Sequence, residues 1–159
     1  MTTYLELFAD YHQIHVMDEN SDSDVGEAWT AQALFDALAA AEDVLAFSTV
    51  NNMDVVVAVD ILEDEPEDDS ADFDHVVEAS VHVPSGRLTI LGCSDYLPDA
   101  ARFDVPAGWM RVRVSRSGLA VADADPEGFA SESIRLQIWP APRQELRVIT
   151  RWTRPTNGA

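Results

Sequence analysis

The chain contains no lysine, and its first 86 residues contain no arginine either. All ten basic residues are arginines, beginning at Arg87. Residues 1–86 therefore carry a formal charge of −21 against +2 for residues 87–159, within −19 overall. A half-chain of one sign repels nucleic acid and acidic lipid headgroups, and it attracts basic protein surfaces over roughly a Debye length. An acidic, lysine-poor composition also serves solubility. That reading accounts for the net charge but not for the confinement of arginine to one half.

Cysteine is nearly missing too. Cys93 alone excludes an internal disulfide, so nothing calls for an oxidising compartment. No apolar run approaches the ~20 residues needed to cross a bilayer as a helix. The opening Met1-Thr2-Thr3-Tyr4 has neither the basic nor the apolar region of a secretory signal. The expected location is cytoplasmic, with no membrane partner. There is no Gly-rich phosphate loop, dinucleotide fingerprint or Gly-x-Ser-x-Gly elbow. No enzyme chemistry is expected from this chain.

What is present reads as one domain of short strands, 1–159, with 47% apolar residues to build a core. Residues 53–62 place Val55, Val57, Val59 and Ile61 on one face, with Asp54 and Asp60 on the other. Residues 75–83 set Val77, Ala79, Val81 and Val83 against Glu78, Ser80 and His82. Such period-two alternation marks half-buried strands with one solvated face. Residues 87–91, 101–105, 109–115, 132–139 and 145–152 repeat it. Their inward residues are expected to be Leu88 and Ile90, Phe103 and Val105, Val112 and Val114, Ile134, Leu136 and Ile138, and Leu146 and Val148. Val83-Pro84-Ser85-Gly86 and Val105-Pro106-Ala107-Gly108 read as tight turns between antiparallel strands. One helix is expected over 30–42, capped by Thr30, with Leu34, Leu38 and Ala41 inward and Phe35 beside them. The fold class is all-β, a mainly antiparallel β-sandwich with one short helix, an open barrel being the alternative. Residues 153–159 are expected to be flexible.

Two stretches read as acidic loops, 18–27 and 63–74, the second with eight carboxylates in twelve residues. Such a run is not expected to be buried, and self-repulsion, which opposes collapse, predicts that it is mobile. Asp18, Asn20 and Asp22 occupy the first three ligand positions of a calcium loop. The sixth position, however, is Ser23 rather than glycine, and the twelfth is Trp29 rather than glutamate. His12 and His15 sit on an expected strand and point to opposite faces, as do His75 and His82, so no transition-metal site and no cofactor is expected. Cys93 has no helix N-terminus after it to activate a thiolate and reads as a small packed residue. Arginine alternates with Trp109 and Trp139 in the manner of a nucleic-acid platform, but a charge of −19 opposes phosphate. Cross-strand pairing of these arginines with the chain's own acids is the preferred reading, with an arginine–tryptophan protein interface left open.

Several landmarks, taken in order, carry a resemblance. They are Asp10-Tyr11-His12-Gln13-Ile14-His15-Val16 as an opening strand, Trp29-Thr30 at the helix start, and Ala39-Ala40-Ala41-Glu42-Asp43-Val44 leading to Phe47. Val81-His82-Val83 follows with Gly86 and Leu88-Thr89-Ile90, and then Phe103-Asp104-Val105-Pro106-Ala107-Gly108. Over 8–114 this series resembles the competence protein J family, inhibitors of a DNA-entry nuclease in transformable bacteria. The chain departs from the family pattern in the acidic insertion 63–74 and in the arginine-containing extension beyond Trp139-Pro140. The resemblance implies a non-catalytic inhibitor whose partner is a basic protein, a nuclease or toxin. Charge and resemblance together nominate Glu63, Asp64, Glu65, Glu67, Asp68, Asp69 and Asp72, with outward Asp54 and Asp60, as the partner-binding residues. The alternative is a ligand-binding sandwich module, assisted by calcium, whose charge serves solubility alone.

Overall fold

The computed structural model describes residues 1–125, 127 and 132–155. The strands are β1 (Thr3–Phe8), β2 (Gln13–Asp18), β3 (Leu38–Ala40), β4 (Val44–Ser48), β5 (Asp54–Ile61), β6 (His75–Val83), β7 (Arg87–Gly92), β8 (Ala101–Asp104), β9 (Gly108–Ser117), β10 (Ser133–Pro140) and β11 (Arg147–Thr150). They form a six-stranded sheet, in the order β1-β5-β10-β9-β6-β11, and a five-stranded sheet, in the order β3-β4-β2-β7-β8. The pairing of β10 with β5 is parallel; the other pairings are antiparallel. This is the all-β sandwich the alternation predicts.

The alternation sets the core directly. Val55, Val57, Val59, Val77, Val81, Val112, Val114, Ile134, Leu136 and Ile138 turn inward from the large sheet. They meet Ile14, Val16, Leu45, Phe47, Leu88 and Ile90 from the small one, all fully buried or nearly so. Each such side chain contributes roughly 1.5–3 kcal/mol relative to exposure. Phe103, Val105, Leu146 and Val148 are partly buried at the margins of the same core. Neither Pro–Gly segment joins paired antiparallel strands as expected: Val83–Gly86 carries the chain from β6 of the large sheet to β7 of the small one, and Val105–Gly108 from β8 of the small sheet back to β9 of the large one. Gly86 (φ +74°) and Gly108 (φ +131°) adopt left-handed backbone that a side chain would strain.

Four other local expectations need correction. The helix over 30–42 is shorter: α1 spans Ala31–Asp36, with Thr30 Oγ1 accepting from the Ala33 N–H at 3.1 Å. Ala37 then turns left-handed (φ 62°), and Leu38–Ala40 pair with β4, so sheet pairing overrides the alanine preference for helix. Its apolar face is also reversed: Leu34 and Phe35 are 64% and 53% exposed, while Ala33 is buried. The strand expected to open the chain from Asp10 is instead the second, β2, starting at Gln13. Tyr11 (φ 55°) and His12 (φ 59°) form a left-handed turn, and a His12 ring nitrogen is bonded to Val50 O instead of lying in a strand. A second short helix, α2 (Leu119–Asp123), has no counterpart in the expectations.

Of the C-terminal segment 153–159, residues 156–159 lie outside the described residues; Arg154 pairs with Asp123 at 2.7 Å.

Candidate protein-binding face

The outward surface of the six-stranded sheet divides into two halves of opposite character. Across β6, β9 and β10, register aligns Glu78 with Arg113 and Gln137, and Ser80 with Arg111 and Trp139. The alternation marks these positions as solvated. They are not: Glu78, Arg111, Arg113 and Trp139 are each under 5% exposed. Glu78 receives Arg111 Nε at 3.3 Å on one carboxylate oxygen and Arg113 Nε at 2.7 Å on the other. The Arg111 guanidinium also donates to Ser80 Oγ and to the carbonyls of Gln144 and Glu145.

The acidic run 63–74 folds down onto this half with most of its carboxylates exposed. Arg113 donates to Glu67 O at 3.1 Å, and Arg135 holds Asp69 through both carboxylate oxygens at 2.8 and 2.7 Å. Phe73 lies under the Arg135 guanidinium, 4.5 Å from its ring centroid. Guanidinium groups offer five donors in a rigid fork, so they capture main-chain carbonyls as well as carboxylates. That capture outweighs the loop's self-repulsion. The hydrogen bond from Arg135 holds the Asp69 carboxyl below the usual carboxylate range, and hydrogen bonds from Ser70 lower Asp68.

Most of the nominated carboxylates still face outward. Glu63, Asp64, Glu65, Glu67, Asp68, Asp72 and Asp54 are exposed, Asp69 is half-buried, and Asp60 accepts from Thr2 Oγ1 at 2.6 Å. Of these, Asp69 is paired as above and Glu65 lies 3.8 Å from Arg113. The remaining arginine–acid pairs join Arg87 to Glu19 and Asp104, Arg102 to Glu19, Arg116 to Glu132, and Arg151 to Asp36. The preferred reading of the arginines, as partners of the chain's own acids, describes this arrangement. A net negative surface survives it.

The second half of the outer surface, over β1 and β5, is bare. Tyr4, Glu6 and Phe8 of β1 stand opposite Ala58, Val56 and Asp54 of β5. Tyr4 is 71%, Val56 52% and Phe8 44% exposed. The start of β5 is anchored from below by buried Glu132, which accepts from the Asn51 N–H and Arg116 Nε, both at 3.0 Å. The sequence reading missed Tyr4, Phe8 and Val56. The signal was available in Thr3–Phe8, where Leu5 and Leu7 alternate with a second, partly aromatic row.

The remaining candidates resolve into structure. Asp18, first of the calcium pattern, is buried and accepts from the Ser85 N–H and hydroxyl. Among the described residues no group of three or more His, Cys, Asp or Glu is placed to hold a metal ion. Burial, reinforced by Asp10 and Asp95, pushes the Cys93 thiol up, and it donates to Asp10 O at 3.3 Å. His75 is buried between Asp36 O, which accepts from Nε2–H at 2.8 Å, and the Trp152 N–H, which donates to Nδ1 at 3.1 Å. Burial lowers its pKa, as it does for His15. An open groove of about 680 Å³ is lined by residues including Ala39, Trp109, Arg143 and Leu146. Among the described residues no helix is long and apolar enough to cross a membrane.

Neither a protein-family model nor a curated protein matches the sequence. Solved structures do. ComJ of Bacillus subtilis, described as the inhibitor of the DNA-degrading activity of NucA, aligns with a TM-score of 0.64 at 18% identity, over 89% of this chain and 96% of its own. The fold is ComJ-like. The protein of crocagin biosynthetic gene J shares it, with a TM-score of 0.58 at 16% identity over 89% of this chain and 98% of its own. Two of the ComJ-like landmarks meet in space: Trp29 Nε1–H donates to Gln13 Oε1 at 3.3 Å, next to the Thr30 cap.

Proposed function

We propose that this protein is a non-catalytic cytoplasmic inhibitor that covers the nucleic-acid-binding surface of a basic nuclease or toxin. The observation that supports the reading is that most carboxylates of 63–74 stay exposed on a loop that Arg113 and Arg135 hold against the outer sheet. Glu63, Asp64, Glu65, Glu67, Asp68 and Asp72 supply anions in place of phosphates, flanked by Asp54 and Asp60. Asp69 acts by holding the loop on Arg135. The ComJ-like fold supports the reading, because a solved protein of that fold is described as a nuclease inhibitor. A cationic groove built for a phosphate backbone attracts such a surface from a distance, and salt screens the attraction.

The test is DNA degradation by NucA and by nucleases with pI above about 9, with the protein added at 50 and 300 mM salt. Inhibition that weakens as salt rises is expected. Degradation unchanged across the panel at low salt would refute the inhibitor role.

A further inference from the structure

We propose that the free edge of β1 accepts an extended, arginine- or lysine-bearing segment of a protein partner as an added strand. The inference deepens the inhibitor reading and rests on it only for the basic character of the partner.

Among the described residues β1 closes one side of the six-stranded sheet and pairs only with β5. The Ala9 N–H donates to Met53 O at 2.9 Å, which sets the bonded register. Bonded and non-bonded pairs alternate in an antiparallel ladder. Thr3, Leu5 and Leu7 therefore direct their main-chain groups to β5, and Tyr4, Glu6 and Phe8 direct theirs away. The Phe8 carbonyl is packed against Gly92, too close for a side chain there. Tyr4 and Glu6 are left with main-chain donors and acceptors on the open side.

Open edges are ordinarily blunted by shortness, a bulge, proline or a cationic side chain. The other three edges show such devices. β3 has three residues, β11 is bulged between Val148 and Thr150, and Arg102 of β8 turns back onto the carbonyls of Leu97, Pro98 and Ala100. The six residues of β1 show none of them.

The edge opens on a cleft of about 500 Å³. Glu6, Asp95 and Asp99 line it together with Tyr4 and Tyr96, each 71% exposed, and no arginine does. Strand addition takes its affinity from main-chain bonds and its selectivity from alternate side-chain contacts. Here those contacts are carboxylates and aromatic rings, both of which favour cations. A second copy of this chain fits poorly, because the anionic cleft beside β1, with Glu6, Asp95 and Asp99, offers no cation to its own counterpart.

The experiment uses the full chain, ¹⁵N-labelled, with a blocked hexapeptide of alternating arginine and threonine and a matched peptide with glutamate in place of arginine. With the arginine peptide at ten times its Kd, amide exchange at Tyr4 and Glu6 should slow about tenfold, with no slowing from the glutamate peptide. Asp99→Arg, which leaves the β1–β5 ladder untouched, should weaken the effect, and Glu6→Arg should abolish it. Binding that leaves both amides unprotected overturns the proposal, as does protection that rises with protein concentration alone. Nuclease inhibition on the same samples separates the two readings. An edge protected by the peptide in a protein that inhibits no basic nuclease removes the inhibitor role and leaves the edge. Inhibition with an unprotected edge does the reverse.

Discussion

The two halves of one sheet surface share strand geometry and differ in what becomes of their charges. Over β6, β9 and β10, arginines face acids of neighbouring strands and of the 63–74 loop, and the surface closes into a buried polar layer. Over β1 and β5 no arginine is in register until Arg135, already taken by Asp69, and the surface stays open, aromatic and anionic. Where the basic residues fall along the chain decides which half has its strand residues closed into internal ion pairs and which keeps its outer row exposed. The absence of cations from the first 86 residues thus has a spatial outcome: β1 and β5 lie wholly within that stretch.

The comparison breaks most sharply at Glu78. Glu78→Ala leaves Arg111 and Arg113 buried with their shared carboxylate gone, and removal of one partner from a buried ion pair costs about 3–5 kcal/mol. Urea unfolding should show that loss, whereas Glu6→Ala on the open half should change stability by less than about 0.5 kcal/mol. Equal effects at the two sites would mean that the halves do not differ as described.

Asp69→Asn should have a smaller effect. The Asp69–Arg135 pair is partly exposed, so screening limits its contribution to roughly 0.5–1 kcal/mol. Its more telling readout is hydrogen exchange, which should rise through 66–73 and stay constant in β1 and β5.

The strand pattern was legible where one face is apolar and the other polar, as in 53–62 and 75–83. Periodicity alone could not say whether a polar face meets water or an overlying loop. Glu78, Arg111 and Arg113 read as solvated because nothing local announces that 62–74 and 141–146 fold across them. The end of α1 was hidden for a different reason: 37–42 is rich in alanine, and the left-handed turn at Ala37 follows from pairing with β4 rather than from a glycine. The calcium-like spacing at Asp18 failed because Ser85, 67 residues away, satisfies that carboxylate. For the candidate site, the acids of 63–74 could be nominated from composition, but their separation into those bound to arginine and those facing outward required the register of β9 and β10.

The mildest of these tests is pH. His75 and His15 bind a proton less readily folded than unfolded, because burial lowers both. The unfolded chain takes up those protons first, so stability is full above pH ~6.5 and declines as pH falls through that value. Thermal unfolding between pH 7.5 and 5.5 should show a falling Tm, reduced in His75→Gln. The bare half of the sheet holds no histidine, so the same pH change should leave exchange at the β1 edge unaffected until the fold itself weakens.

The most direct test of the account is the rate at which a basic nuclease associates with the wild-type protein and with the Glu63→Gln, Asp64→Asn, Glu67→Gln, Asp68→Asn variant, measured by stopped flow from 20 to 300 mM salt. The surviving negative surface predicts slower association of the variant by about tenfold at low salt, with a flatter salt dependence. Identical rates and identical slopes would contradict it.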